Sequence, residues 1–215
     1  MALRSRGLAA RLTPDHGPVL DPQSVTLRSG LLPLIRARLQ DHPRSRVLDF
    51  GLPTTNKLVY FSRCRSRIFW NNWPGGVGEV LRSGGAGELA KVGDMKQFFI
   101  PGDTGRFDVI LFWDYLEHIS FPAARDLLGQ LVEYYAPGCW VYFLISQSSG
   151  VPIRPADIDI TLDHCLRYTT VPEARTAPRY APKVMEQAMP GFQILKLYLM
   201  KNGVQEHLFR FAPGS

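Results

Sequence analysis

RVLDFGLPTTNKLVYF, residues 46–61, decides how this chain is read. RVLDFG is a short apolar run ending in Gly51, which predicts a buried parallel strand entering a tight turn. TTNKLVYFSRC predicts a helix, weakened by its Thr and Val residues. Strand, turn and helix in that order form a place where nucleotide-type cofactors bind, because the helix start offers free N–H groups. The turn departs from the usual glycine-rich pattern. Only Gly51 is present, and Pro53 and Thr55 follow where glycine would let the backbone approach a ligand. Pro53 offers no N–H but suits the first turn of a helix. Thr54, Thr55 and Asn56 carry side-chain donors that could serve instead.

On the N-terminal side, residues 24–42 carry Leu27, Leu31, Leu34, Ile35 and Leu39 at helical spacing, with the regular part beginning or bending near Pro33. Residues 1–22, with Pro14, Pro18, Pro22 and several arginines, read as a flexible basic leader to a single domain over 23–215. On the C-terminal side, SRIFWNN predicts a second strand. The glycine-rich stretch to Gly87 predicts a poor helix or loop, and DMKQFF lies at or just after a third strand. RFDVILFWD predicts a fourth strand, FPAARDLLGQLVEYY a helix, and GCWVYFLIS a fifth strand. Residues 150–180, rich in Pro and Arg, read as an irregular excursion, and APKVMEQAM as a short helix begun by Pro182. FQILKLYLMK and VQEHLFRFA flank Asn202-Gly203, a strong hairpin signal because both turn positions need positive φ. Strands alternating with helices, closed by that hairpin, predict a three-layer α/β/α domain.

The chain has 215 residues, 45% hydrophobic and 20% charged, as expected of a soluble globular domain. No apolar run is long enough to span a membrane. Cys64, Cys139 and Cys165 are widely separated and form neither a disulfide framework nor a zinc motif, which fits a reducing, cytoplasmic setting. The net charge of +6 is compatible with nucleic acid or another anionic partner. Because the basic groups are not interleaved with aromatics, a solvated basic face is the plainer reading. There is no GxSxG elbow, phosphate loop or HExxH, and a dinucleotide site is excluded by the missing GxGxxG turn.

The order of elements resembles that of the class I S-adenosylmethionine-dependent methyltransferases. VLDFG is similar to their first motif, GDMKQF to the third-strand motif, and RFDVILFWDYLEHI to the strand-to-helix passage of the small-molecule enzymes. LVEYYAPGCWVYFLIS resembles the passage into strand five, and YAPKVMEQAMPGFQI the late helix and its exit. The resemblance implies a Rossmann-like fold with a mostly parallel seven-stranded sheet and a C-terminal antiparallel hairpin. It implies S-adenosyl-L-methionine as cofactor, with Asp49, Gly51 and Thr55 at the first turn. Asn71 or Asn72 would stand where the family grips the ribose with an acid. Asp94 and Met95 would bracket the adenine, and Trp113 and Asp114 would stand at the mouth of the site. His118 is the candidate general base, and Arg175, Arg179 and Tyr180 fall on the substrate-facing segment. The activity implied is methyl transfer to a small-molecule acceptor. The other expectation is a catalytically inactive methyltransferase-like module, a pseudoenzyme that serves as a scaffold for a protein partner.

Overall fold

The structure is a computed structural model that describes residues 23–71, 105–148, 150–171, 173–176 and 180–214. In chain order the elements are β1 (Gln23–Arg28), α1 (Leu32–Asp41), β2 (Arg46–Asp49), α2 (Thr55–Ser62), β3 (Arg67–Trp70) and β4 (Phe107–Trp113). A 3-10 turn (Tyr115–His118) and α3 (Phe121–Gln130) precede β5 (Tyr135–Ser146). Then come β6 (Gly150–Pro152), β7 (Asp157–Ile160), β8 (Cys165–Thr170), β9 (Ala174–Thr176), α4 (Pro182–Ala188), β10 (Phe192–Leu199) and β11 (Val204–Phe211).

Six of these strands form the central sheet in the order β10-β11-β5-β4-β2-β3. β3, β2, β4 and β5 run parallel, while β11 pairs antiparallel with both β5 and β10. This is an α/β Rossmann-like arrangement. The middle of β2 and residues 109–113 of β4 are apolar because layers cover both faces, and Val47, Leu48 and residues 109–113 are all buried. Edge strand β10 is exposed over most of its length, Leu195, Tyr198 and Leu199 included, and a register break between Ile194 and Lys196 blunts the edge. The chain leaves β2 toward β3 on one side and later returns to β4 on the other. That reversal makes the carboxyl ends of β2 and β4 the switch point of the sheet, where ligands of such folds bind.

Two expectations are corrected. The helical pattern over residues 24–42 is helix only from Leu32 to Asp41, and Gln23–Arg28 is strand β1, paired with β8 so that Val25 faces Tyr168 and Leu27 faces Leu166. Pro33 lies in the first turn of α1, and the Ser29 hydroxyl accepts from the N–H groups of Leu31 and Leu32, so the helix cannot extend back into β1. The 150–180 stretch is not irregular either. It supplies β7 and β8, which form an antiparallel sheet with β1 in the order β1-β8-β7, and the pair β6-β9, with Ile158, Ile160, Leu166 and Tyr168 buried. Strands this short, between prolines and arginines, leave too few alternations to read. The 1–22 leader and the expected third strand lie outside the described residues.

Among the described residues, no helix is long and apolar enough to cross a membrane.

Candidate functional site

The turn after β2 is built around Asp49. Its Oδ1 accepts from the Gly51 N–H at 2.7 Å and from Trp113 Nε1, while Lys57 Nζ lies 3.4 Å from Oδ2. Lys57 arrives because Thr54 caps α2, its hydroxyl accepting from the Lys57 N–H at 3.2 Å, which turns the first helical turn toward the sheet. Lys57 is fully buried, 4.5 Å over the Trp113 ring and 5.6 Å over that of Trp70. Burial pushes the Asp49 carboxyl above and the Lys57 ammonium below its ordinary value, each opposed by the other's charge. A side chain at Gly51 would meet Lys57 Nζ at 2.5 Å and Trp113 Nε1 at 2.8 Å, so glycine is required there for space. Trp113 itself carries a φ of +54°, a strained value for an aromatic residue, at the point where β4 meets its turn.

Asn71 follows β3. Its N–H donates to the Asp49 carbonyl at 2.8 Å, and its fully buried side-chain amide has no partner for either atom among the described residues. Lys57 Nζ and Asp49 Oδ2 likewise form no hydrogen bond beyond their ion contact. A buried ion pair and an amide whose two polar atoms have no partner among the described residues therefore gather at the carboxyl ends of β2 and β3, and each unsatisfied amide atom costs about 1–3 kcal/mol.

The remaining expected residues divide. Thr55 is exposed, and the neighbouring Thr54 and Asn56 spend their donors on Asp159 of β7. Asp114 and His118 are buried together, with His118 Nε2 3.6 Å from Asp114 Oδ2, and Asp114 makes no capping bond to the 3-10 turn. Glu117 joins them. Burial, with the charge of Asp114 adding, raises its carboxyl to about 8. Arg175 and Tyr180 donate to the carbonyls of Glu117 and Ile119, bracing the turn after β4. Asn72, Asp94, Met95 and Arg179 lie outside the described residues.

Lys57 is the residue that sequence reasoning missed. Its signal was a lone lysine in the first turn of a helix whose other early positions are uncharged, directly after a turn short of N–H donors.

No family model and no curated protein matches the chain. Solved structures do. The 1,6-didemethyltoxoflavin-N1-methyltransferase of Burkholderia thailandensis, with bound 1,6-didemethyltoxoflavin and S-adenosylhomocysteine, is 18% identical, with 85% of this chain and 79% of that one covered at a TM-score of 0.46. The PH0226 protein of Pyrococcus horikoshii is 13% identical, covering 84% and 87% at 0.49. The N-methyltransferase NodS of Bradyrhizobium japonicum is 12% identical, covering 83% and 93% at 0.44.

Proposed function

We propose that the chain binds S-adenosyl-L-methionine at the carboxyl ends of β2, β3 and β4 and transfers its methyl group to a small-molecule acceptor. The observation that carries this reading is the buried Asp49–Lys57 pair beside the Asn71 amide, whose two polar atoms have no partner among the described residues. An α-amino-acid end presents a carboxylate and an ammonium, and Lys57 and Asp49 offer the matching charges. A ribose presents hydroxyls that donate and accept, and the Asn71 amide can answer both. Lys57 thus supplies the positive field that a glycine-rich turn would supply through N–H groups, and Pro53 is tolerated for that reason. When bound, the cofactor provides an electrophilic methyl on a sulfonium. The protein's contribution is to hold and orient the reactants and keep water out, with the buried Trp113 closing the floor beside Asp49.

One observation favours a second reading, a catalytically silent module of the same fold. Lys57 and Trp113 occupy the space over Gly51, so the crevice is filled by the chain's own side chains. Calorimetric titration with S-adenosylhomocysteine separates the two. The cofactor reading expects binding by the wild type and a tenfold to hundredfold loss in Lys57→Met, the equivalent of one charge-assisted hydrogen bond. Asn71→Ala, which leaves the ion pair intact, should also weaken binding. Absence of heat at millimolar ligand, or tighter binding by Lys57→Met, establishes a plug instead of a clamp.

A further inference from the structure

The turn after β4 gathers three metal-ligating side chains in the protein interior. Asp114, Glu117 and His118 come from one short stretch, and their ligand atoms all lie within 4.8 Å of one another. Carboxylates crowd harmlessly at a surface, where water screens them. Here the exposures are 2%, 5% and 2%.

The bonds provided by the fold leave the ligating capacity open. Asp114 Oδ2 accepts from the Ala156 N–H at 2.8 Å, and Glu117 Oε2 accepts from the Ser146 N–H at 2.6 Å. Asp114 Oδ1 and both ring nitrogens of His118 have no hydrogen-bond partner among the described residues. The Tyr168 hydroxyl is also buried and unpartnered, and burial with the charges of Asp114, Glu117 and Glu206 raises its phenol well above the ordinary value. A buried imidazole with neither nitrogen satisfied is costly, so the cluster is built around an occupant.

We propose that a carboxylate oxygen of Asp114, a carboxylate oxygen of Glu117 and a ring nitrogen of His118 bind one divalent transition-metal cation of the manganese, cobalt or zinc type. Two oxygens and one imidazole suit those ions, whereas calcium and magnesium favour all-oxygen shells. Bonds of about 2.1 Å place two ligand atoms at most about 4.2 Å apart, so closing the cluster needs less than about 1 Å of side-chain movement. The N–H groups of Ala156 and Ser146 already orient the two carboxylates, as outer-shell donors do around a metal. Three protein ligands leave at least one position for water or a substrate oxygen. His118 is then a ligand, in place of the general base expected from the sequence. The rival occupant is a proton on Glu117. It would relieve the repulsion from Asp114, but it adds no partner for Asp114 Oδ1, whereas a cation draws both carboxylates and the imidazole together.

The test reads metal content, so its outcome is separate from that of the cofactor titration. Protein as purified is assayed for metal by plasma mass spectrometry, stripped with chelator, and titrated calorimetrically with Mn2+, Co2+ and Zn2+. The expected result is one equivalent per chain, a visible absorption band from the Co2+ form, and a rise in Tm on reloading. Glu117→Gln, nearly isosteric, and His118→Ala should each weaken binding at least tenfold. No heat with any of the three ions at millimolar concentration overturns the proposal. So does unchanged affinity in Glu117→Gln or in His118→Ala. If His118→Ala does not fold, Glu117→Gln and the stripped wild type decide.

Discussion

Lys57 Nζ lies 3.4 Å from Asp49 Oδ2, with both side chains at zero exposure. An ion pair so placed gains little over an apolar pair of the same volume, yet breaking it from one side strands the other charge. Lys57→Met should therefore cost about 3–5 kcal/mol of stability. The double variant Asp49→Asn/Lys57→Met should recover most of that loss. Urea unfolding of the two single variants and the double variant checks it. Losses that simply add would show that the two groups do not act as a pair.

Glu206 on β11 should be the strongest polar stability determinant outside the crevice. Its carboxylate, fully buried, accepts from the Ser29 hydroxyl, from the Gly30 N–H at 2.6 Å and from the Tyr142 hydroxyl at 2.7 Å. It thereby ties the start of α1 to the opposite side of the sheet. Glu206→Ala leaves three donors without an acceptor and should destabilise by about 3 kcal/mol or more. Glu206→Gln keeps one acceptor oxygen and should lose less. Thermal unfolding of both variants tests the ranking, which equal losses would refute.

His207 sets a pH dependence. Burial lowers its imidazole to about 4, and its ring stacks on Phe143 with centroids 4.8 Å apart. The unfolded chain takes up the proton at about 6.5 and the folded one only near 4, so the unfolded state binds more protons in between. Stability is therefore complete above about pH 6.5 and falls as the pH drops toward 4, by about 3 kcal/mol at most from this residue. His207→Phe keeps the ring and removes the titration. Its unfolding free energy should change less between pH 6.5 and 4 than that of the wild type, and an unchanged slope would assign the effect elsewhere.

Much of the sheet was legible because its signals are local. β4 holds a continuous apolar run over residues 109–113, and Pro33 and Pro182 mark helix starts. Asn202-Gly203 stands between β10 and β11 as expected, but only Gly203, at a φ of +83°, is left-handed, because a four-residue loop over 200–203 replaces the expected two-residue turn. β1 was misread because Leu27 continues a helical spacing by coincidence. Only its pairing with β8, more than a hundred residues away, makes Gln23–Arg28 extended.

The candidate site was legible in part. Asp49, Gly51, Asn71, Trp113 and Asp114 sit where strand ends place them, because each ends a strand or follows one within two residues. Their partners could not be read. Trp113 is 64 residues from the Asp49 it binds, and Ala156 is 42 from the Asp114 to which it donates.

By itself the sequence determined the alternation of strands and helices and the weakness of the first turn, since periodicity, proline and glycine act on neighbouring residues. Only the tertiary structure decided that Lys57 fills the gap above Gly51 and that His118 is enclosed with two carboxylates. Burial and charge pairing are properties of groups brought together across the fold, and no local spacing encodes them.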